Sequence, residues 1–536
     1  MANSGKGSLS PAYRTLSSLG ISSREASQRF ERLQEKLVYS LAHCFDEGVA
    51  SFVDEEHTIV VVPSLSMVDS SVGSVMQHYE ERFLFFLLLL RHPQARLIYI
   101  TSQPVPESVI EYYLGLLPGV IISHARQRLF MLAPCDTSPR PLSEKILERP
   151  RFIERIRSLI RDVDRAHLVP FTTSILERDL ALHLGIPMYA ADPRFYALGS
   201  KSGTRQIFAE EEIPHPAGFE NICNLDQLVE AICKLRAKNL ALTRALVKLN
   251  EGVSGEGNAT LDLRDLPPPG DPQEASAITE RVRKMRLGKQ GQTFRGYLNL
   301  LGKRGAVLEE LLQGDEFRSP SVQLRVNPVG QLQVLSTHDQ LLGGVDGQNY
   351  LGAKFPADPA YATAITKEAE KVGKRLAKEG IVGRFAIDFV VTRSSSGDWR
   401  PYGIELNLRK GGTTHPFLTL KFLTGGNYNP ETAEFLAPNG VQKYFVASDQ
   451  VKSPLYRSLT ADDLFDLAIR RGLHFDHTRQ TGVVFHMMSA LPEHGRLGLT
   501  AVADSMEDAH ALYLQTVSAI DEEAGAASRW KQLPEF

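Results

Sequence analysis

Between His57 and about Tyr196, short apolar runs alternate with amphipathic ones. The runs "HTIVVVPSL", "ARLIYITS", "GVIISH", "AHLVPFTTS" and "LGIPMYAAD" are separated by stretches such as "PESVIEYYLGLL" and "FIERIRSLIRDVD". Strands joined through helices cannot close as hairpins, so this pattern predicts an α/β domain with a largely parallel sheet. It is assigned to residues 1–197. Residues 198–299 read as a second, smaller unit with a helix at "NLDQLVEAICKLRAKN" and a Pro- and Gly-broken loop, "RDLPPPGDPQEAS". Residues 300–445 read as antiparallel strands plus the long helix "DPAYATAITKEAEKVGKRLAKEG". A final α+β region, 446–536, has two helices around a strand "TGVVFHMMSA", the first opening on a capping box of Thr460 and Asp463.

With 536 residues, the chain has room for several domains of about 100–200 residues each. A net charge of -3 argues against a nucleic-acid or polybasic membrane surface, so partners must be read from sites. The longest apolar run, Phe83 to Leu90, is far short of the ~20 residues that span a bilayer and reads as a buried helix. Cys44, Cys135, Cys223 and Cys233 form no CxxC pair, as expected of reduced cytoplasmic thiols, and the amino terminus lacks the apolar stretch of a secretory signal.

No GxxxxGK[ST], strand-linked GxGxxG, HExxH or GxSxG occurs, which excludes P-loop nucleotidases and simple Rossmann dehydrogenases. Four other segments can carry chemistry. In "ALVKLNEGVSGEGNATLDL", a strand bearing Lys248 leads into a loop with Gly252, Ser254, Gly255 and Gly257; small residues let backbone N–H groups close on phosphate oxygens while the lysine adds a point charge. Taken alone, the loop reads equally as a flexible hairpin connection. In "GAVLEELLQGDEFRSPSVQL", a strand exits through Glu309 toward Leu311, Leu312 and Glu316, a pattern suited to an adenine amino group, the ring and ribose hydroxyls, or to a solvated acidic face.

The remaining two, "GRFAIDFVV" and "YGIELNLRKGGTTHP", are strand-like runs joined by a turn. Asp388 lies in one, and Glu405 and Asn407 share a face of the other because side chains repeat every two residues. Buried carboxylates need a counter-charge, and three hard oxygen donors suit magnesium holding ATP phosphates. A hydrogen-bonded cluster bracing the hairpin is the competing reading. His474, His477 and His486 lack a further ligand at useful spacing and read as structural or solvated.

The order and spacing of these segments, together with "LALHLGIPMYAADPRFYALGSKSGTRQIFAEEEIPHP", resemble the ATP-grasp superfamily across roughly residues 50 to 445. The runs "YEERFLFFLLLLR", "GDEFRSPSVQL" and "IELNLRKGGTTHPF" look like its pheganomycin-type peptide ligases. The resemblance implies a pre-ATP-grasp α/β domain, a two-subdomain ATP-grasp fold, and ATP with two Mg2+ ions as cofactors. It implies that Lys201 and Lys248 contact phosphates beneath a lid from Gly252 to Gly257. Glu309, the backbone of Leu311 and Leu312, and Glu316 would hold adenosine, and Asp388, Glu405 and Asn407 the metal. Arg409 would face the transferring phosphoryl group and the carboxylate, with Gly411 and Gly412 letting the backbone pass close to substrate.

Activation of a small carboxylic acid as an acyl phosphate and capture by an amine or peptide would follow. His415 would orient substrate or help deprotonate the amine, or would make only a structural hydrogen bond. A phosphotransferase and a non-catalytic ATP-binding scaffold are the alternatives; a homodimer is the default assembly. Two departures stand out: Ala386 occupies the place of a basic residue two before the magnesium aspartate, with Arg384 the nearest candidate substitute, and Ser200 replaces an acidic residue before the first lysine.

Overall fold

The computed structural model describes residues 19–41, 56–66, 75–252, 257–289, 291–343, 349–394 and 397–530. Three main sheets organise them. The first is parallel and comprises β1 (His57–Val62), β2 (Ala95–Ile100), β3 (Leu129–Leu132) and β4 (Ala166–Pro170), in the order β3-β2-β1-β4. All of β1, β2 and β4 is buried, as continuous apolar runs in a sheet covered on both faces require.

Two expected strands differ. "GVIISH" forms no strand and instead opens the helix Ile122–Arg126, while the strand falls on Leu129–Leu132. "LGIPMYAAD" reaches the sheet only through a single bridge between Leu168 and Met188. The segment Tyr79–Arg91 is a buried helix, wound tightly in 3₁₀ fashion, and its phenylalanines and leucines join the largest apolar core. Among the described residues, no helix is long and apolar enough to cross a membrane.

The second sheet contains β5 (Gly218–Ile222), β6 (Arg244–Leu249), β7 (Asn258–Asp262), β8 (Arg286–Leu287) and β9 (Ala306–Glu310), ordered β5-β9-β6-β7-β8. Its last strand lies beyond the 299/300 junction expected from sequence. The third sheet gathers β10 (Glu316–Arg318), β11 (Pro320–Val326), β12 (Leu332–Gly343), β13 (Asn349–Phe355), β14 (Gly383–Arg393) and β15 (Trp399–Asn407). A small separate ribbon, β16 (Asn427–Asn429) with β17 (Glu434–Leu436), follows. The third sheet then continues through β18 (Tyr444–Lys452), β19 (Gly482–His486) and β20 (Arg496–Ala503). The 445/446 junction expected from sequence therefore falls inside β18, and the carboxy-terminal strands extend the same sheet.

One face of the third sheet is apolar. Val322, Leu324, Phe385, Ile387, Phe389 and Leu406 pack with Ile365, Ala369 and Val372 of the helix Pro359–Lys378. Alternation then sends Ser321, Gln323 and Arg325 of β11, and Arg384, Ala386 and Asp388 of β14, to the opposite face.

Candidate active site

Asp388 on β14 pairs in register with Glu405 on β15, and Ala386 with Asn407. Directly opposed residues of antiparallel strands share a face, so both carboxylates and the amide stand together. The register slips between Asp388 and Phe389, a bulge beside the two acids, of the kind that re-aims side chains at sites. Asp388 accepts hydrogen bonds from Gln340 at 2.8 Å and Asn407 at 2.9 Å, both neutral donors. Glu405 accepts from Lys201 at 3.0 Å. Burial, and then the neighbouring Glu405 charge, push the Asp388 carboxyl up to about 7. Burial also pushes Glu405 upward, but Lys201, Arg409 and Lys248 outweigh it and hold its carboxyl below the usual range. Two carboxylates on one face, one of them without a cation at hydrogen-bond distance, fit a divalent cation.

Lys201 is the first residue of the helix Lys201–Glu210, where Ser200 serves as N-cap and accepts from Gly203 N–H at 3.1 Å. The serine found in place of an acid is thus a helix start. Lys248, on β6, contacts Glu309 of the neighbouring β9 at 2.6 Å. Arg205 reaches the other oxygen of Glu309 at 3.1 Å and also binds Glu220 and the Pro216 carbonyl. Burial raises Glu309, and the two cations more than reverse it.

Of the backbone expected at the adenine ring, the Leu311 N–H donates to the Arg244 carbonyl at 3.2 Å, and Leu312 follows it out of β9. Glu316 is bound by Arg318 and Arg393. Gly252 and Gly257 border the glycine loop, where the Gly257 carbonyl accepts from the buried Tyr297 hydroxyl at 3.1 Å. Ser254 and Gly255 lie outside the described residues.

Arg409 follows β15 and stands close enough to Glu405 and Asp388 to feel both charges, its guanidinium anchored on the Lys410 carbonyl at 3.0 Å. The need for Gly412 has a visible cause: a Cβ there would lie 2.7 Å from the Tyr350 ring. A Cβ on Gly411 would meet open space.

His415 occupies the first turn of the helix Thr414–Thr424, buried against His486 and Asp449. Its Nε2 lies 3.0 Å from His486 Nε2 and 3.1 Å from Asp449 Oδ1, and His486 Nε2 lies 2.6 Å from that same oxygen. These three atoms could surround a small cation, but Arg82 already neutralises Asp449 through its other oxygen at 3.0 Å. With the charge balanced, a hydrogen-bonded network accounts for the cluster. Burial holds His415 near 4 and therefore neutral at physiological pH. Sequence spacing could not find this group, because its members come from the segment before β2, the helix after β15, β18 and β19.

Residues 194–285 and 271–431 match the IQCH-like ATP-grasp family. Residues 463–516 match the PGM1 C-terminal domain. The chain is 29% identical over 465 residues to the L-propargylglycine–L-glutamate ligase of Streptantibioticus cattleyicolor, spanning 85% of this chain and 92% of that protein. It is 23% identical over 532 residues to the IQ motif-containing protein H of Danio rerio, spanning 89% of this chain and 50% of that one. Among solved structures, the ADP complex of N5-carboxyaminoimidazole ribonucleotide synthetase and a biotin carboxylase complex from Campylobacter jejuni align at 12% identity and a TM-score of 0.49. Each covers 88% of this chain, and the chain covers 98% and 95% of them respectively.

Proposed function

We propose that this protein is an ATP-dependent ligase that activates a carboxylic acid as its acyl phosphate and joins it to an amine. The observation that carries this reading is the facing pair Asp388 and Glu405, with Lys201 and Arg409 converging on it. The match to the ATP-grasp family and the likeness to a ligase over most of the chain support it.

Asp388, Glu405 and Asn407 would hold magnesium, as two ions, and the metal supplies positive charge to the phosphate oxygens when bound. Lys201 and Lys248 exchange their present carboxylate partners for phosphate oxygens. Glu309 is thereby released from Lys248 to accept an adenine amino group, while Arg205 keeps it ionised. Glu316 takes the ribose, and Arg409 orients the substrate carboxylate for in-line attack on the γ-phosphorus. The carboxylate oxygen forms the new P–O bond, ADP departs, and the amine then displaces phosphate from the acyl carbon, losing one proton. His415, neutral at physiological pH and tied to Asp449 and His486, braces the start of its helix in this reading. The cytoplasm is the compartment that fits the scarcity of cysteines, and a homodimer the assembly to test first.

The test is ADP release from paired panels of acids and amino acids or peptides, with mass spectrometry of the products. ADP and phosphate formed only when both partners are present, together with a condensed product, is the expected result. ADP release with the acid alone, yielding a stable phosphorylated product, would replace the ligase with a phosphotransferase.

A further inference from the structure

The face of the third sheet that carries Asp388 also carries Arg384, four residues earlier on β14 and so about 13 Å along the strand. Arg325 of β11 stands directly opposite Arg384. Lys410, three residues after β15, and Lys421, on the helix Thr414–Thr424, lie close enough to Arg384 to feel its charge and complete a group of four cations. Burial first, and then Arg384, lowers Lys410 to about 7; burial, then Arg325 and Arg384, does the same to Lys421. Arg384 falls to about 9 for the same reasons.

The hydrogen-bond partners of Lys410 and Lys421 are neutral. Lys410 donates to the Pro170 carbonyl at 2.7 Å and Lys421 to the Asn427 amide oxygen at 3.3 Å. Arg384 Nη1 is buried without any hydrogen-bond partner among the described residues. Arg325 donates to Gln333 and lies beside Tyr189. Among the described residues, no carboxylate lies at hydrogen-bond distance from Arg384, Lys410 or Lys421. Arg384 and Lys421 nevertheless keep partial solvent access, so the group is enclosed without being sealed. Concentrated positive charge in a largely buried group costs folding free energy unless an anion joins it.

Two further features mark the position. Ala386 stands between Arg384 and Asp388 on this face of β14 with Gln323 opposite it, both buried, so a methyl group and an amide separate the cations from the metal residues. Above it, Gln323 binds Thr413 and Thr414 at 2.8 and 3.1 Å. The Pro170 carbonyl that Lys410 holds ends β4, and in the order β3-β2-β1-β4 the chain reverses direction across the sheet between β1 and β4. Crevices at the carboxyl ends of such strands are where open α/β sheets bind ligands.

We infer that Arg384, Lys421, Lys410 and Arg325 bind a carboxylate borne by a substrate at the end remote from the bond being made. The inference rests on the ligase reading and adds to it a substrate class: molecules with one reacting group at Asp388 and Arg409 and one anionic group held at Arg384. That anion is either the second carboxylate of a dicarboxylic acid or the C-terminal carboxylate of a short peptide acceptor, both of which lie away from the reacting group.

The experiment measures thermal stabilisation of the full chain, with magnesium and a non-hydrolysable ATP analogue present. The probes are succinate, glutarate, adipate and pimelate against their monoamides, and in a second arm dialanine and trialanine against their C-terminal amides. One arm should show binding at least ~10-fold tighter for the carboxylate than for the amide, consistent with loss of a charge-assisted contact. Arg384→Met and Lys421→Met should erase that difference while the nucleotide analogue still binds; Arg384→Lys should restore part of it. Equal binding of carboxylates and amides in both arms, or a difference that survives both methionine variants, would overturn the inference. The ligase reading fails separately, if no acid and amine pair yields a condensed product even though the carboxylate preference is present.

Discussion

Asp388 and Glu405 face each other across β14 and β15, yet only Glu405 has a cation, Lys201, at hydrogen-bond distance. The proton that enclosure favours on the pair therefore resides on Asp388, and a magnesium ion bound as proposed would have to displace it. The folded pKa of about 7 lies above the ordinary value of 3.8, so this group stabilises the fold at low pH and that stabilisation is lost as pH rises toward 7. Stabilisation by magnesium should accordingly grow across that window. Thermal melts with and without the metal, from about pH 4 to pH 8, check this, and Asp388→Asn should flatten the curve.

Glu405→Gln retains the shape of the side chain and removes its charge. ADP formation with the true substrates should fall by at least ~100-fold, while the thermal midpoint stays near that of the parent. Steady-state assays at saturating magnesium measure it. Undiminished turnover would remove Glu405 from the metal set and with it the proposed mechanism.

Lys248 and Arg205 share Glu309 but are expected to differ in effect. Lys248→Met should raise KM for ATP by about 10-fold with a small change in stability, because Arg205 still pairs the glutamate. Arg205→Met also strands Glu220 and the Pro216 carbonyl, and should cost about 3 kcal/mol in denaturant unfolding. If the two variants behaved alike, the division of roles would be wrong.

Asp449→Asn leaves Arg82 buried without its carboxylate partner. A loss of about 3 kcal/mol in unfolding free energy is expected. His415→Gln should leave the shape of the pH–rate profile between about pH 5 and 8 unchanged, since burial keeps that ring unprotonated throughout. A profile that loses a limb in this variant would show that His415 carries a proton in catalysis.

Much of the site was legible because it rests on local rules. The two-residue period of β15 put Glu405 and Asn407 on one face, and β14 supplied Asp388 in the same way. The strand at Leu129–Leu132 was missed because four residues with little alternation give no period to read, and "GVIISH" misled because β-branched residues there open a helix. The buried set of Arg82, His415, Asp449 and His486 and the cations Arg325, Arg384, Lys410 and Lys421 are products of tertiary pairing. No local spacing announces either group, although Ala386, in a position where a basic residue was expected, marked the second.

The alternation along β14 also restricts how this protein can change over generations. A single residue inserted between Arg384 and Asp388 would rotate every later side chain to the other side, delivering the aspartate to the layer beneath the helix Pro359–Lys378 and an isoleucine or phenylalanine to the metal side. Core and chemistry would be lost in one step. Differences in length among descendants of this gene should therefore collect in the connection 394–398 and be absent from the strand itself.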